Sequence, residues 1–88
     1  MTVMWKFPLA LGDVVTLEMP MGAEPLYVAM QGGVPCLWAR VNPMLPKEMR
    51  RFRFAGTGHT LHDDVGRYIG SWQMADGALV FHLFEMGR

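Results

Sequence analysis

Eighty-eight residues enclose one modest hydrophobic core, so residues 1–88 read as a single domain with no room for a second. Eight lysines and arginines balance eight aspartates and glutamates, and a formal net charge of zero excludes a whole-molecule field for duplex nucleic acid or an anionic membrane. Hydrophobic residues make up 51% and charged residues 18% of the chain, which is apolar-rich and charge-poor for a small domain. Such a surplus is usually covered by a partner, so a homo-oligomer is expected, in its simplest form a dimer. The single cysteine, Cys36, rules out an intrachain disulfide. No leader-like segment and no uninterrupted apolar run of spanning length is seen, and the reading expects a soluble, cytosolic protein.

Val3, Trp5, Phe7 and Leu9 alternate with Met4, Lys6 and Pro8, the period of a strand with one buried face, and Pro8 points to a sheet edge. After Gly12-Asp13, Val15, Leu17 and Met19 oppose Thr16 and Glu18, predicting a second strand in a hairpin with the first. Pro20 to Pro25 is a loop. Leu26 to Gln31 and Val34 to Asn42 flank Gly32-Gly33, the dipeptide best suited to the positive φ angles of a tight hairpin. Both faces of this hairpin carry apolar residues, so it is expected to be covered on both sides.

Pro43 to Pro46 forms the next loop, and Pro46 to Arg51 has room for a short turn of helix. From Glu48 to Ala55, Phe52 and Phe54 are expected to point inward and Arg51 and Arg53 outward. Arg67 to Met74 puts Tyr68, Trp72 and Met74 on one face. In Ala78 to Glu85, Leu79, Phe81 and Leu83 oppose Val80, His82 and Phe84, and Ala75-Asp76-Gly77 supplies the turn between these two strands. The sum is an all-β domain, a small antiparallel sandwich or barrel of about six to seven short strands.

Polar chemistry is densest from Ala55 to Gly66. His59, His62, Asp63 and Asp64, with His82 from the last strand, offer nitrogen and oxygen donors for a metal-dependent hydrolase. Their spacing matches no ligand motif, so neither a metal nor another cofactor is expected. Gly56-Thr57-Gly58 has the composition of a backbone N–H nest for an anion, with His59 beside it and Arg51, Arg53 and Arg67 on the flanking strands. The run lacks the Gly-Lys-Ser/Thr of a P-loop. Its competing reading is a plain polar bend that Asp63 or Asp64 caps. Cys36 has no neighbouring base to activate it, and Trp5, Trp38 and Trp72 sit in alternating strands where core packing is the simpler role than base stacking.

Trp5-Lys6-Phe7-Pro8-Leu9, Gly33-Val34-Pro35-Cys36-Leu37-Trp38-Ala39, Gly56-Thr57-Gly58-His59 and Gly77-Ala78-Leu79-Val80-Phe81-His82-Leu83-Phe84-Glu85 together resemble a family of short bacteriophage proteins carrying a domain of unknown function. The resemblance implies a phage origin and a bacterial host cytoplasm, and it implies no catalytic residues. It favours a non-enzymatic, homo-oligomeric binding protein that counters bacterial immunity. Arg51, Arg53, Gly56, Thr57, Gly58, His59 and Arg67 are the expected lining of a pocket for a phosphorylated or cyclic nucleotide. The alternatives are direct inhibition of a host defence or CRISPR protein, and a role as a virion or assembly accessory. An arginine pair facing a concave site favours the nucleotide, and a pair on a flat surface favours the protein partner.

Overall fold

The computed structural model describes residues 1–87. Their strands are β1 (Val3–Pro8), β2 (Val14–Pro20), β3 (Glu24–Gln31), β4 (Val34–Val41), β5 (Lys47–Gly56), β6 (Val65–Met74) and β7 (Leu79–Met86), and the only helical turn among them is the 3-10 turn Ala75–Gly77. All pairings are antiparallel. They make a three-stranded sheet in the order β1-β4-β3 and a four-stranded sheet in the order β2-β5-β7-β6. The two stack as a sandwich, not a closed barrel.

The period-two patterns supply the layer between the sheets. Val28, Leu37, Ala39 and Val41 from the smaller sheet meet Met19, Phe52, Trp72 and Leu83 from the larger one, with Trp5, Phe7, Val15, Leu17, Phe54 and Phe81 packed around them. Phe52, Leu37 and Leu83 are fully buried. Phe54 meets Trp72 edge-on at 5.6 Å, a favoured aromatic geometry. Arg50 is the exception in this layer. It is buried, donates from Nε and Nη2 to the Glu85 carboxylate at 2.6 and 2.8 Å, and donates from Nη1 to the Ala23 carbonyl at 2.7 Å. One guanidinium thus ties β5 to β7 and to the β2–β3 connection.

The Gly32-Gly33 hairpin forms as the dipeptide predicts, with φ of 57° and 80° and Gln31 opposite Val34. The second hairpin turn is tighter than its composition suggests: Ala75 and Asp76 hold φ of 52° and 55° ahead of Gly77, a conformation that costs non-glycine residues about 1–2 kcal/mol each. Pro8 lies on an edge strand, as expected.

Four expectations are corrected. β1 and β2 are not a hairpin: β1 pairs with β4 and β2 with β5, in opposite sheets. The connection is anchored on the way by the buried Leu9, whose N–H donates to the Pro35 carbonyl at 2.9 Å. The suggested helical turn at Pro46 to Arg51 is strand, because β5 already pairs from Lys47 opposite Pro20. Tyr68 does not share a face with Trp72: register shifts on either side of it turn Tyr68 outward opposite Phe84 while Trp72 stays inward opposite Phe81. The β3–β4 hairpin is covered on one side only. Its outward face shows Tyr27 to solvent beside the half-buried Trp38, their rings 6.0 Å apart.

The accessible surface of 5375 Å² is about what a monomer of this length exposes. The apolar surplus therefore appears in what the surface is made of, not in its extent.

Candidate functional site

The outward face of the larger sheet carries two adjacent cross-strand rows. Arg53, Phe84 and Tyr68 form one, and Ala55, His82 and Ser71 the next. Segment 57–64 leaves the end of β5 and returns beside these rows. Its path is held by its own backbone: Thr57 N–H donates to the Val80 carbonyl at 3.0 Å, His59 N–H to the Gly56 carbonyl at 3.0 Å, and Gly87 N–H to the Asp64 carbonyl at 2.8 Å. Gly58 takes a φ of 85°, which only glycine adopts at no steric cost. The His59 ring lies against Gly56, so closely that a Cβ there would come within 2.6 Å of Nδ1.

Side chains complete the closure. Arg53 donates from Nε and Nη2 to the two Asp64 oxygens at 2.8 and 2.6 Å, a parallel fork. That hydrogen-bonded guanidinium holds the Asp64 carboxyl below its ordinary range, and the hydrogen-bonded carboxylate raises Arg53 in turn. His82 sits between two hydroxyls, with Thr57 Oγ1 at 2.7 Å from Nε2 and Tyr68 Oη at 3.0 Å from Nδ1. A neutral imidazole donates from one nitrogen and accepts at the other, so either tautomer satisfies both contacts. Tyr68 also packs against Phe84, ring centroids 5.1 Å apart.

What results is a shallow groove of about 270 Å³ walled by Thr57, His59, Leu61, Tyr68, His82 and Phe84. Its chemistry is mixed: apolar rings and a leucine, with two imidazoles and two hydroxyls among them.

Of the residues expected at a site, Gly56, Thr57, Gly58 and His59 line this groove. Arg53 lies on the neighbouring row and is engaged by Asp64. Arg51 is exposed further along β5, opposite Thr16. Arg67 lines a different groove, of about 670 Å³, together with Arg40 and Arg50. The expected nest is largely closed, since the N–H groups of Thr57 and His59 are both used internally. No group of three or more His, Cys, Asp or Glu side chains converges on a metal position among the described residues. The sequence reading leaves out Tyr68, Leu61 and Phe84 as groove residues and weighs His82 only within the metal reading it sets aside. The alternation of β7 does place His82 and Phe84 outward, whereas the irregular pairing around Tyr68 leaves no trace in that alternation.

With the geometry in hand, comparison with known proteins adds one finding. The profile of a domain of unknown function, DUF7352, matches residues 1–88. The chain belongs to this family. No curated protein and no solved structure matches it. For this DUF7352 domain, then, the functional reading rests on its own surface. Among the described residues no helix is long and apolar enough to cross a membrane.

Proposed function

We propose that this DUF7352 domain is a non-enzymatic binding protein that covers another protein, using the outward face of β5, β7 and β6 beside segment 57–64. The observation that carries this reading is the state of the polar groups. A phosphate would need the Thr57 and His59 N–H groups and Arg53, and all three are already committed within the chain. Beside them Leu61, in segment 57–64, and Tyr68, on β6, stand about half exposed. A tyrosine fixed by a hydrogen bond and a ring contact gives an interface large contact area at little entropy cost. The resemblance to phage proteins supplies the setting: a host defence or CRISPR protein as partner, blocked by being covered.

Catalysis is the weaker reading of the same groups. Thr57 and His82 have the separation of a nucleophile and its base. The second imidazole nitrogen, however, faces a phenol where a base needs an orienting carboxylate, and the adjacent N–H groups that would stabilise an oxyanion are bonded elsewhere.

The test is affinity capture from host cells, with the captured protein identified and its binding remeasured with purified components. Tyr68→Ala and Leu61→Asp should each weaken binding by at least about tenfold, the effect of truncating a central interface residue. Equal binding by both variants refutes this use of the face.

One observation favours a nucleotide ligand as a second reading. Arg67 has no ion-pair partner among the described residues and shares its groove with Arg40 and Arg50. A cyclic di- or trinucleotide bound there would raise the melting temperature of the wild type and not of Arg67→Ala. No shift with any member of such a panel removes the reading.

A further inference from the structure

We infer that the outward face of the smaller sheet is a self-association surface, on which a second copy of this chain packs about a twofold axis running across the strands. The cross-strand pairs of β3 and β4 form four outward rows, in order Glu24 with Arg40, Tyr27 with Trp38, Ala29 with Cys36, and Gln31 with Val34. A large aromatic row thus lies next to a row of small residues. Cys36 is itself buried and Ala29 is part-exposed, so an axis between those two rows sets the exposed Tyr27 of each copy over Ala29 of the other, with the half-buried Trp38 beside it. The same operation places the fourth row against the first.

The charges on these end rows are complementary in the same arrangement. Lys6, on β1, reaches across β4 to donate from Nζ to Gln31 Oε1 at 2.6 Å, so its charge lies at the fourth row against a neutral amide. At the first row Arg40 holds Glu24 through one oxygen, Oε1, at 2.6 Å, and the second oxygen faces the partner's Lys6. Because a twofold interface repeats every contact, the dimer gains two such pairs. Apolar bulk at the centre and a polar, charged rim is the usual anatomy of a protein interface. Sheets packed in this way keep their strands roughly aligned. The face lies on the opposite side of the sandwich from the groove of Thr57 and His82, so the dimer presents two copies of that groove, one on each outer side.

Sedimentation equilibrium of the full chain tests this. Wild type should dimerise, and Lys6→Glu and Glu24→Lys should each weaken the dimer by about tenfold or more, since each homodimer then opposes like charges twice. An equimolar mixture of the two variants should recover dimer, because the mixed pair matches opposite charges at both ends. Ala29→Arg, which fills the small row, should be monomeric; circular dichroism checks that each variant is folded. A wild type that remains monomeric at about 100 μM, far above the Kd range of specific dimers, overturns the proposal. Variants that dimerise as well as wild type, or a mixture that recovers nothing, overturn it equally.

Discussion

Replacing Arg50 by alanine is the most demanding test of how the two sheets are joined. Its guanidinium makes three charge-assisted hydrogen bonds of 2.6 to 2.8 Å, two to Glu85 and one to the Ala23 carbonyl, and is almost out of solvent. Removing one partner of a buried pair costs about 3–5 kcal/mol, because the remaining charge stays where water cannot solvate it. A domain of this length is stable by roughly 4–13 kcal/mol in all, so this one change takes roughly a quarter of the total or more. Urea unfolding followed by tryptophan fluorescence should show the midpoint falling by at least roughly 1 M, with little change in slope. The double variant Arg50→Met with Glu85→Leu should recover most of the loss, since an apolar pair of similar volume is often neutral in place of a buried ion pair. A midpoint shift below roughly 0.3 M for Arg50→Ala, the behaviour of an exposed pair, would show that this guanidinium does not hold the sandwich together.

Three further outcomes are expected. Because Arg53 lowers the Asp64 carboxyl in the folded chain, their pairing adds stability above the ordinary carboxylate range, and this is lost as the pH falls through the lowered folded value. Amide exchange across segment 57–64 should speed up in that acid window, and Asp64→Asn should show fast exchange at neutral pH with no such transition. At Gly66 a Cβ would lie 2.9 Å from the Glu85 carbonyl oxygen, a backbone atom. Gly66→Ala should therefore lower stability by about 1–3 kcal/mol, whereas Gly12→Ala, with nothing nearer than 3.9 Å, should leave the melting temperature almost unchanged. At Gly56 the obstructing group is the His59 ring, which can move. Gly56→Ala should shift the His59 ring resonances by NMR and expel that ring from the groove at little cost in stability.

Much of the architecture was legible in the chain because a strand's side chains alternate strictly. Phe52 and Phe54 inward with Arg51 and Arg53 outward, or Leu83 inward with His82 outward, follow from that period alone. The Gly32-Gly33 turn is equally local, since positive φ at two successive positions is a property of the dipeptide. The all-β class follows from seven such patterns separated by glycine and proline.

What folding alone decided is which strand lies beside which, and therefore every contact that depends on neighbours. Alternation tells which face of β1 and β2 is buried but not what covers it, and the two strands entered different sheets. The groove is of the same kind. Tyr68 meets His82 and Phe84 only because irregular pairing turns it outward, and Thr57 reaches His82 across 25 residues of chain. Arg53 and Asp64 read locally as a free cation and a turn cap; brought together, they cancel. Period and turn chemistry act within a few residues and are written in the sequence, whereas pairing depends on a balance of packing over the whole core and exists only once the chain has closed.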